Sequence, residues 1–320
     1  MKCARRAVVF ANHDVGVRCL SVLLASGLDV PLVVTHREEP HESDLFASVS
    51  EFAALHGVES AISEDTAEPE LLQRVAKLAP DFIFSFYYRR LLTDAMLATP
   101  RRGALNMHGS LLPKYRGRAP VNWAVIRGES VTGATLHYMT AKADAGDIVD
   151  QQPVPILPDD TAFDVFTKVT FAAELVLWRS LPALIAGNAP RQPQDINMSS
   201  YFGRRRPQDG EIDWAGDART VHNLVRGVAP PYPGAYAQVR GRTVRILRTV
   251  HETSRAARGN TPALYVENGQ CYIECAGGGV LRVLSAEVNG RTVSPAQLPK
   301  ALGAEGIVEL ETRIAEKGAA

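Results

Sequence analysis

The chain of 320 residues has no excess of charge: 35 Lys and Arg balance 35 Asp and Glu. Proteins that neutralise rows of phosphates are basic, so this balance argues against a mainly electrostatic nucleic-acid binder, though it leaves room for a local basic patch. Cysteine is scarce. Cys3, Cys19, Cys271 and Cys275 form no C-x-x-C pair and lack a companion cluster of ligands, so no metal site is expected. They read as reduced thiols of a cytoplasmic protein. No apolar run approaches the ~18 residues that span a bilayer, and no membrane insertion is expected. The N-terminal Met-Lys-Cys-Ala-Arg-Arg resembles the start of a signal peptide, but the apolar run behind it, Ala7–Ala11, is too short. Two phosphate-binding signatures are also missing. The first turn reads Asn12-His-Asp-Val-Gly16 in place of G-x-G-x-x-G, and no G-x-x-x-x-G-K-[ST] occurs, so no NAD or flavin dinucleotide is expected.

What is present is an ordinary globular composition, 46% hydrophobic and 22% charged, at a length that suggests about two domains. Short apolar runs at 7–11, 30–35, 81–88 and 103–108 alternate with helical patterns at 15–26, 44–56 and 69–78. This alternation specifies an α/β fold with a mostly parallel sheet and helices on both faces. A helix over 119–127, strands over 132–140 and 148–156, and a long helix from a Thr161–Asp164 capping box to about Ile185 complete a first domain over 1–188. Residues 189–210 carry three prolines and the run Arg204-Arg-Arg206, and read as a linker. Over 211–320, a short helix at 218–228 precedes runs at 239–250, 263–266, 272–276 and 280–287 that read as a small antiparallel barrel or meander.

The chemistry concentrates in Leu105-Asn-Met-His-Gly-Ser-Leu-Leu-Pro-Lys-Tyr-Arg-Gly-Arg-Ala-Pro120 and, downstream, Ala143-Asp-Ala-Gly-Asp147. Asn106 and His108 share one face of a strand, at its carboxyl end, where an α/β sheet binds ligands. An amide that donates to a developing oxyanion, an imidazole that takes a proton and a carboxylate, Asp144, that tunes the imidazole form a coherent acyl-transfer set. Taken alone, an Asn near a His is more often a satisfied buried pair; the surrounding pattern raises the functional reading. Ser110 lacks the G-x-S-x-G setting of a nucleophile and reads as locally hydrogen-bonded. Lys114, Arg116 and Arg118 form either a solvated face or an anion site. Tyr87 and Tyr88 read equally as packing or as a wall of the site. Solvated charge is the default for Arg204–Arg206, with a diphosphate partner as the alternative. His36, His56 and His222 read as structural, and His13 and Asp14 border the site at most.

Asn106-Met-His108, Leu112-Pro113, Tyr115-Arg-Gly117, Ala119-Pro120 and Asp144-Ala-Gly146 together resemble the signature of folate-dependent formyltransferases. More narrowly, Phe84-Ser-Phe-Tyr-Tyr-Arg89, His108 through Pro120 and Phe202-Gly-Arg-Arg205 resemble the members that formylate UDP-4-amino-4-deoxy-L-arabinose, a step of lipid A modification and polymyxin resistance. The resemblance covers most of the chain and weakens after about Arg242. It implies a Rossmann-like first domain that holds 10-formyltetrahydrofolate rather than NAD, and an OB-like C-terminal subdomain. It implies that Asn106, His108 and Asp144 are catalytic. Folate contacts would fall on Arg90, Leu91 and Leu92, on Arg118, and on Thr140, Ala141, Lys142, Ala143 and Asp144, the first and last sets through backbone atoms. The bifunctional relatives add a dehydrogenase domain with NAD; this chain ends at Ala320, which implies a stand-alone formyltransferase.

The expected partner is a small nucleotide sugar. Methionyl-tRNA formyltransferase is the nearest rival, but a tRNA-binding version needs a basic loop after the second strand, and Thr35–Asp44 is acidic. A formyltransferase for another nucleotide-linked amino sugar, such as a dTDP-sugar, is a further rival. A binding module that keeps the fold without catalysis would have no need of Asn106, His108 and Asp144 together.

Overall fold

A computed structural model describes residues 5–37 and 45–312. Cys3 and most of the acidic segment 35–44 lie outside the described residues. The chain forms two compact units. The first draws on 1–120, 131–155 and 166–203, the second on 121–130, 156–165 and 204 onward.

The first unit is built on a seven-stranded sheet. Its strands are β1 (Arg6–Ala11), β2 (Asp29–Thr35), β3 (Glu59–Ile62), β4 (Phe82–Phe86), β5 (Ala104–His108), β7 (Val131–Tyr138) and β8 (Ile148–Pro155), in the order β3-β2-β1-β4-β5-β7-β8. The first five pair in parallel; β7 runs antiparallel to β5 and to β8. This is the expected α/β, Rossmann-like arrangement. Apolar side chains fill both faces of β1 and β4, as a doubly covered parallel sheet requires. On one face Val8, Phe10, Leu32, Val34 and Ile83 pack with Leu71 and Val75 of a helix at Pro69–Leu78. The intervening residues Ala7, Val9 and Ala11 are equally buried, and the helix His13–Ala25 packs on β1. Strand order reverses between β1 and β4, which puts the ligand crevice of such sheets at their carboxyl ends.

Several boundaries differ from expectation for identifiable reasons. β4 stops at Phe86 because Tyr87 takes a left-handed conformation, φ 58°, that turns the chain. The second helix spans Val49–Leu55, capped by the Ser48 hydroxyl accepting from the Glu51 amide. β3 escapes the sequence because it is a four-residue edge strand with little buried surface.

The stretch read as a linker does more than connect. Gln192 exchanges both backbone bonds with Ile148 (2.8 and 2.9 Å). Tyr201–Phe202 (β9) pairs in parallel with Arg116–Gly117 (β6). Residues 189–203 thereby belong to the first unit. The helix Ala162–Ala186 opens with the expected cap: Thr161 N–H and Oγ1 donate to the Asp164 carboxylate, and the Asp164 amide donates back to Thr161 Oγ1. Among the described residues it alone is long and apolar enough to cross a membrane, and half of its most apolar window is buried inside the fold.

In the second unit, β10 (Ala235–Val239), β11 (Arg242–His251), β12 (Ala263–Glu267), β13 (Gln270–Glu274), β14 (Val280–Val288) and β16 (Val308–Glu309) form an antiparallel half-barrel sheet in the order β10-β11-β14-β13-β12-β16, with β15 (Arg291–Val293) beside β14. The helix Ala218–Gly227, capped by Asp217 accepting from the Thr220 amide (2.6 Å), buries Val221 and Val225 in its core. The single run expected over 239–250 is two strands. Arg240 and Gly241 both have positive φ and make the two-residue turn of a hairpin; Asn268-Gly269 and Asn289-Gly290 do the same.

Candidate functional site

β5 places Asn106 and His108 two residues apart at its carboxyl end, and the β7–β8 connection brings Asp144 to the same point. The Asp144 carboxylate lies 3.5 Å from His108 Nδ1 and 3.6 Å from His137 Nε2. The three side chains singled out in the sequence therefore converge. All three belong to the first unit.

Backbone groups decide which nitrogen carries each proton. His108 Nε2 lies 2.8 Å from the Tyr115 carbonyl, an acceptor, so the neutral ring carries its proton there. Its basic lone pair is then on Nδ1, the nitrogen that faces Asp144. His137 is oriented the opposite way: Nδ1–H donates to the Tyr138 carbonyl (2.9 Å), leaving Nε2 to accept from the Asn106 amide nitrogen (3.1 Å). This contact fixes the Asn106 amide with one N–H engaged and a second to offer.

Asp144 is held by more than imidazoles. Its Oδ2 accepts from the Gly117 amide (2.8 Å), and its backbone is left-handed, φ 54°. Gln194 donates to the carbonyls of Asp144 (3.0 Å) and Gly146 (2.7 Å), and its own side-chain oxygen accepts from Arg116 Nε and Nη2. Arg116 is therefore a buried brace, contrary to both sequence readings of it. At Gly146 a Cβ would collide with the Tyr138 carbonyl, so the tight turn that carries Asp144 tolerates no side chain there.

The electrostatics follow from burial. Loss of water lowers the His108 pKa; Asp144 pushes it up, but burial prevails and the ring is held neutral near pH 7. Burial alone would raise the Asp144 carboxyl, but His108, His137 and the Gly117 N–H outweigh it and hold the group far below the usual carboxylate range.

The segments expected to touch folate flank this network in sequence. Leu92 is buried and Leu91 is exposed; the Leu91 carbonyl accepts from Thr66 Oγ1 (2.7 Å), and Arg90 pairs with Glu64 (3.2 Å). The Lys142 carbonyl accepts from Thr140 Oγ1 (3.0 Å). Each of these carbonyls keeps a second lone pair. Thr140, Ala141, Lys142 and the Arg118 side chain are exposed; Ala143 is half-buried. The Arg118 amide is tied to the Phe202 carbonyl (2.9 Å). Tyr88 belongs to the core, its hydroxyl donating to the Ser63 carbonyl (2.8 Å). Ser110 donates to the Lys114 carbonyl (2.7 Å), the local bonding expected of it. His13, in the first strand-to-helix turn, lies 2.9 Å from Arg89. Among the described residues no group of three or more His, Cys, Asp or Glu could hold a metal ion.

Residues 5–181 match the formyl transferase family, and residues 205–300 match the formyl transferase C-terminal domain. The chain belongs to the formyl transferase family. It is a formyltransferase, as the Asn106–His108–Asp144 pattern anticipates. Among solved structures it resembles the N-formyltransferase from Helicobacter canadensis solved with folinic acid and dTDP-3-aminofucose (18% identity, 87% of this chain and 98% of that one, TM-score 0.72). It also resembles WlaRD, a sugar 3N-formyltransferase solved with dTDP and 5-N-formyl-THF (17% identity, 88% and 98%, TM-score 0.70), and a 4-N formyltransferase from Francisella tularensis (20% identity, 73% and 92%, TM-score 0.58). At these identities the likeness is one of fold.

Two residues of this network were not read from the sequence: His137, which orients Asn106, and Gln194, which clamps the Asp144 turn. His137 shares a strand face with Thr135, an i, i+2 signal that was available. Gln194 had none, lying in a segment without periodicity.

Proposed function

We propose that this formyltransferase moves the formyl group of 10-formyltetrahydrofolate to the primary amine of a nucleotide-linked amino sugar in the cytoplasm, and that UDP-4-amino-4-deoxy-L-arabinose is that sugar. The observation that carries the chemistry is the convergence of Asn106, His108 and Asp144 in one network. The sugar rests on Phe84–Arg89 and Phe202–Arg205, which resemble the formyltransferase domain of the polymyxin-resistance protein ArnA, and the nucleotide-sugar class on structures of this fold solved with dTDP-3-aminofucose or with dTDP. Residues 1–188, with 189–203 attached, form the catalytic domain in this reading, and the C-terminal sheet is OB-like.

Formyl-tetrahydrofolate supplies the activated one-carbon group. Arg90–Leu92, Arg118 and Thr140–Asp144 hold it, largely through backbone. As the amine attacks, charge builds on the formyl oxygen and the free N–H of Asn106 stabilises it. His108 accepts the proton of the amine at Nδ1, and Asp144 receives the resulting imidazolium with a charge-assisted bond. The departing folate nitrogen takes a proton from that imidazolium or from water.

The decisive experiment offers the purified protein formyl-tetrahydrofolate with UDP-4-amino-arabinose, a dTDP-linked amino sugar or charged initiator tRNA. Formylation of the UDP sugar is expected; formylation of the tRNA alone would overturn the reading. Asn106→Ala should lower kcat by roughly 10²–10³ with little change in folate affinity, and His108→Ala and Asp144→Ala should nearly abolish turnover in folded protein.

A further inference from the structure

Residues 88–91, just past β4, are each tied to residues that follow β2 or β3. The Tyr88 hydroxyl donates to the Ser63 carbonyl (2.8 Å), and the Arg89 amide donates to His36 Nε2 (2.8 Å). The Arg90 guanidinium pairs with Glu64 (3.2 Å), and the Leu91 carbonyl accepts from Thr66 Oγ1 (2.7 Å). Among these ties, His36 alone holds a main-chain N–H with a buried ring. The imidazole is 2% exposed and stacks on Tyr88, with centroids 4.1 Å apart and planes at 18°. Tyr88 in turn meets Phe10 of β1 edge-on at 5.2 Å.

Backbone could not make the His36 tie. β1 lies between β2 and β4, and strands two places apart in a sheet are about 10 Å apart, beyond main-chain hydrogen bonding. A rigid ring leaving the end of β2 covers that gap. The Arg89 N–H can only donate, so Nε2 keeps its lone pair and the neutral ring carries its proton on Nδ1. Nδ1 faces the Glu64 carboxylate at 3.2 Å, out of line for a hydrogen bond. Burial lowers the His36 pKa, Arg89 and Arg90 add to that effect and Glu64 opposes it, so the acceptor form persists at neutral pH. We infer that His36 is a positioning residue of the folate site: its Nε2 fixes the main chain at Arg89 and so presents Arg90–Leu92 to the cofactor. The inference rests on the folate contacts proposed above for those three residues, and gives His36 no part in the formyl chemistry.

The test titrates folinate calorimetrically into the full-length wild type, His36→Gln, His36→Asn and His36→Phe at neutral pH, with melting temperatures and formyl-transfer kinetics measured alongside. Phe keeps the stacking on Tyr88 without an acceptor. The Asn amide ends near the place of Nδ1 and falls short of Arg89, whereas the Gln carbonyl reaches the place of Nε2. His36→Phe and His36→Asn should weaken folinate binding, and raise the folate KM, by about 5–10-fold, with kcat changed less than about 3-fold. His36→Gln should bind folinate within about 2-fold of wild type, because the hydrogen bond to the Arg89 amide is restored. Should His36→Phe fail to fold, the contrast between Gln and Asn decides alone. Equal folinate affinity in all folded proteins overturns the inference, whatever the melting temperatures, and returns His36 to core packing. Equal losses in His36→Gln and His36→Asn overturn it too, since the reach of the acceptor would then not matter. A wild type that binds no folinate at all defeats the folate-contact reading itself, and the inference with it.

Discussion

His108 sits between two unlike neighbours, a carbonyl on one side and a carboxylate on the other. The carbonyl selects the tautomer; the carboxylate rewards protonation of the far nitrogen. Burial has the larger effect and keeps the free ring neutral. A base whose pKa is depressed is lost only when the pH drops below its ordinary range. The kcat/KM profile should therefore show an acid limb with its midpoint below about 6.5, the unperturbed histidine value, and be flat from there to pH 8. A limb centred above 7 would contradict the neutral resting state. Stability should change in the same direction. The unfolded chain takes up a proton at His108 near pH 6.5 that the folded chain refuses, so stability falls as the pH goes down through that value. The convergence of Asn106, His108 and Asp144 was legible because the first two stand at i and i+2 in a strand and the third in a short turn that ends at Gly146. His137 was less so: only the folded structure reveals that its ring is turned by the Tyr138 carbonyl toward Asn106.

The element that carries Asp144 is a turn pinned from outside. Gln194 reaches it from the segment between the long helix and β9, and Arg116 holds Gln194 in turn. Gln194→Leu removes donors from two carbonyls and leaves the Arg116 fork facing an apolar chain, at a cost of about 1–3 kcal/mol. We expect a lower melting temperature together with a fall in kcat larger than the change in folate KM; a variant with normal kcat would show that the turn needs no clamp. Element types were largely legible: buried strands read as apolar runs, and helices ended at Gly27, Gly57 and Gly187, each with positive φ. What was lost lay where local signal is weak. β3 buries too little to show periodicity, and the Arg240-Gly241 turn lacks the Asn that marks its two sister hairpins. β6 and β9 are two-residue strands defined only by each other.

At the scale of the molecule, none of the three described cysteines is poised for chemistry. All are buried and unpaired; burial drives the thiols of Cys271 and Cys275 up to about 12 and that of Cys19 higher still. Thiolates are therefore absent at neutral pH. Brief alkylation of the native protein at pH 8, followed by peptide mass mapping, should leave these three unmodified, and denaturant should expose all of them. Rapid native labelling of Cys271 would mean that the second unit opens far more readily than its core packing implies. Residues 189–203 join the first unit through backbone pairing with Ile148 and with Arg116–Gly117, pairing that is invisible to composition.

Much of the site's scaffolding is anonymous. The Tyr115 carbonyl, the Gly117 amide and the Tyr138 carbonyl are main-chain atoms; Tyr115 is left-handed, φ 58°, and a Cβ at Gly117 would collide with the Phe202 carbonyl. A substitution that shifts the 115–117 backbone would therefore disturb both His108 and Asp144 without altering either side chain.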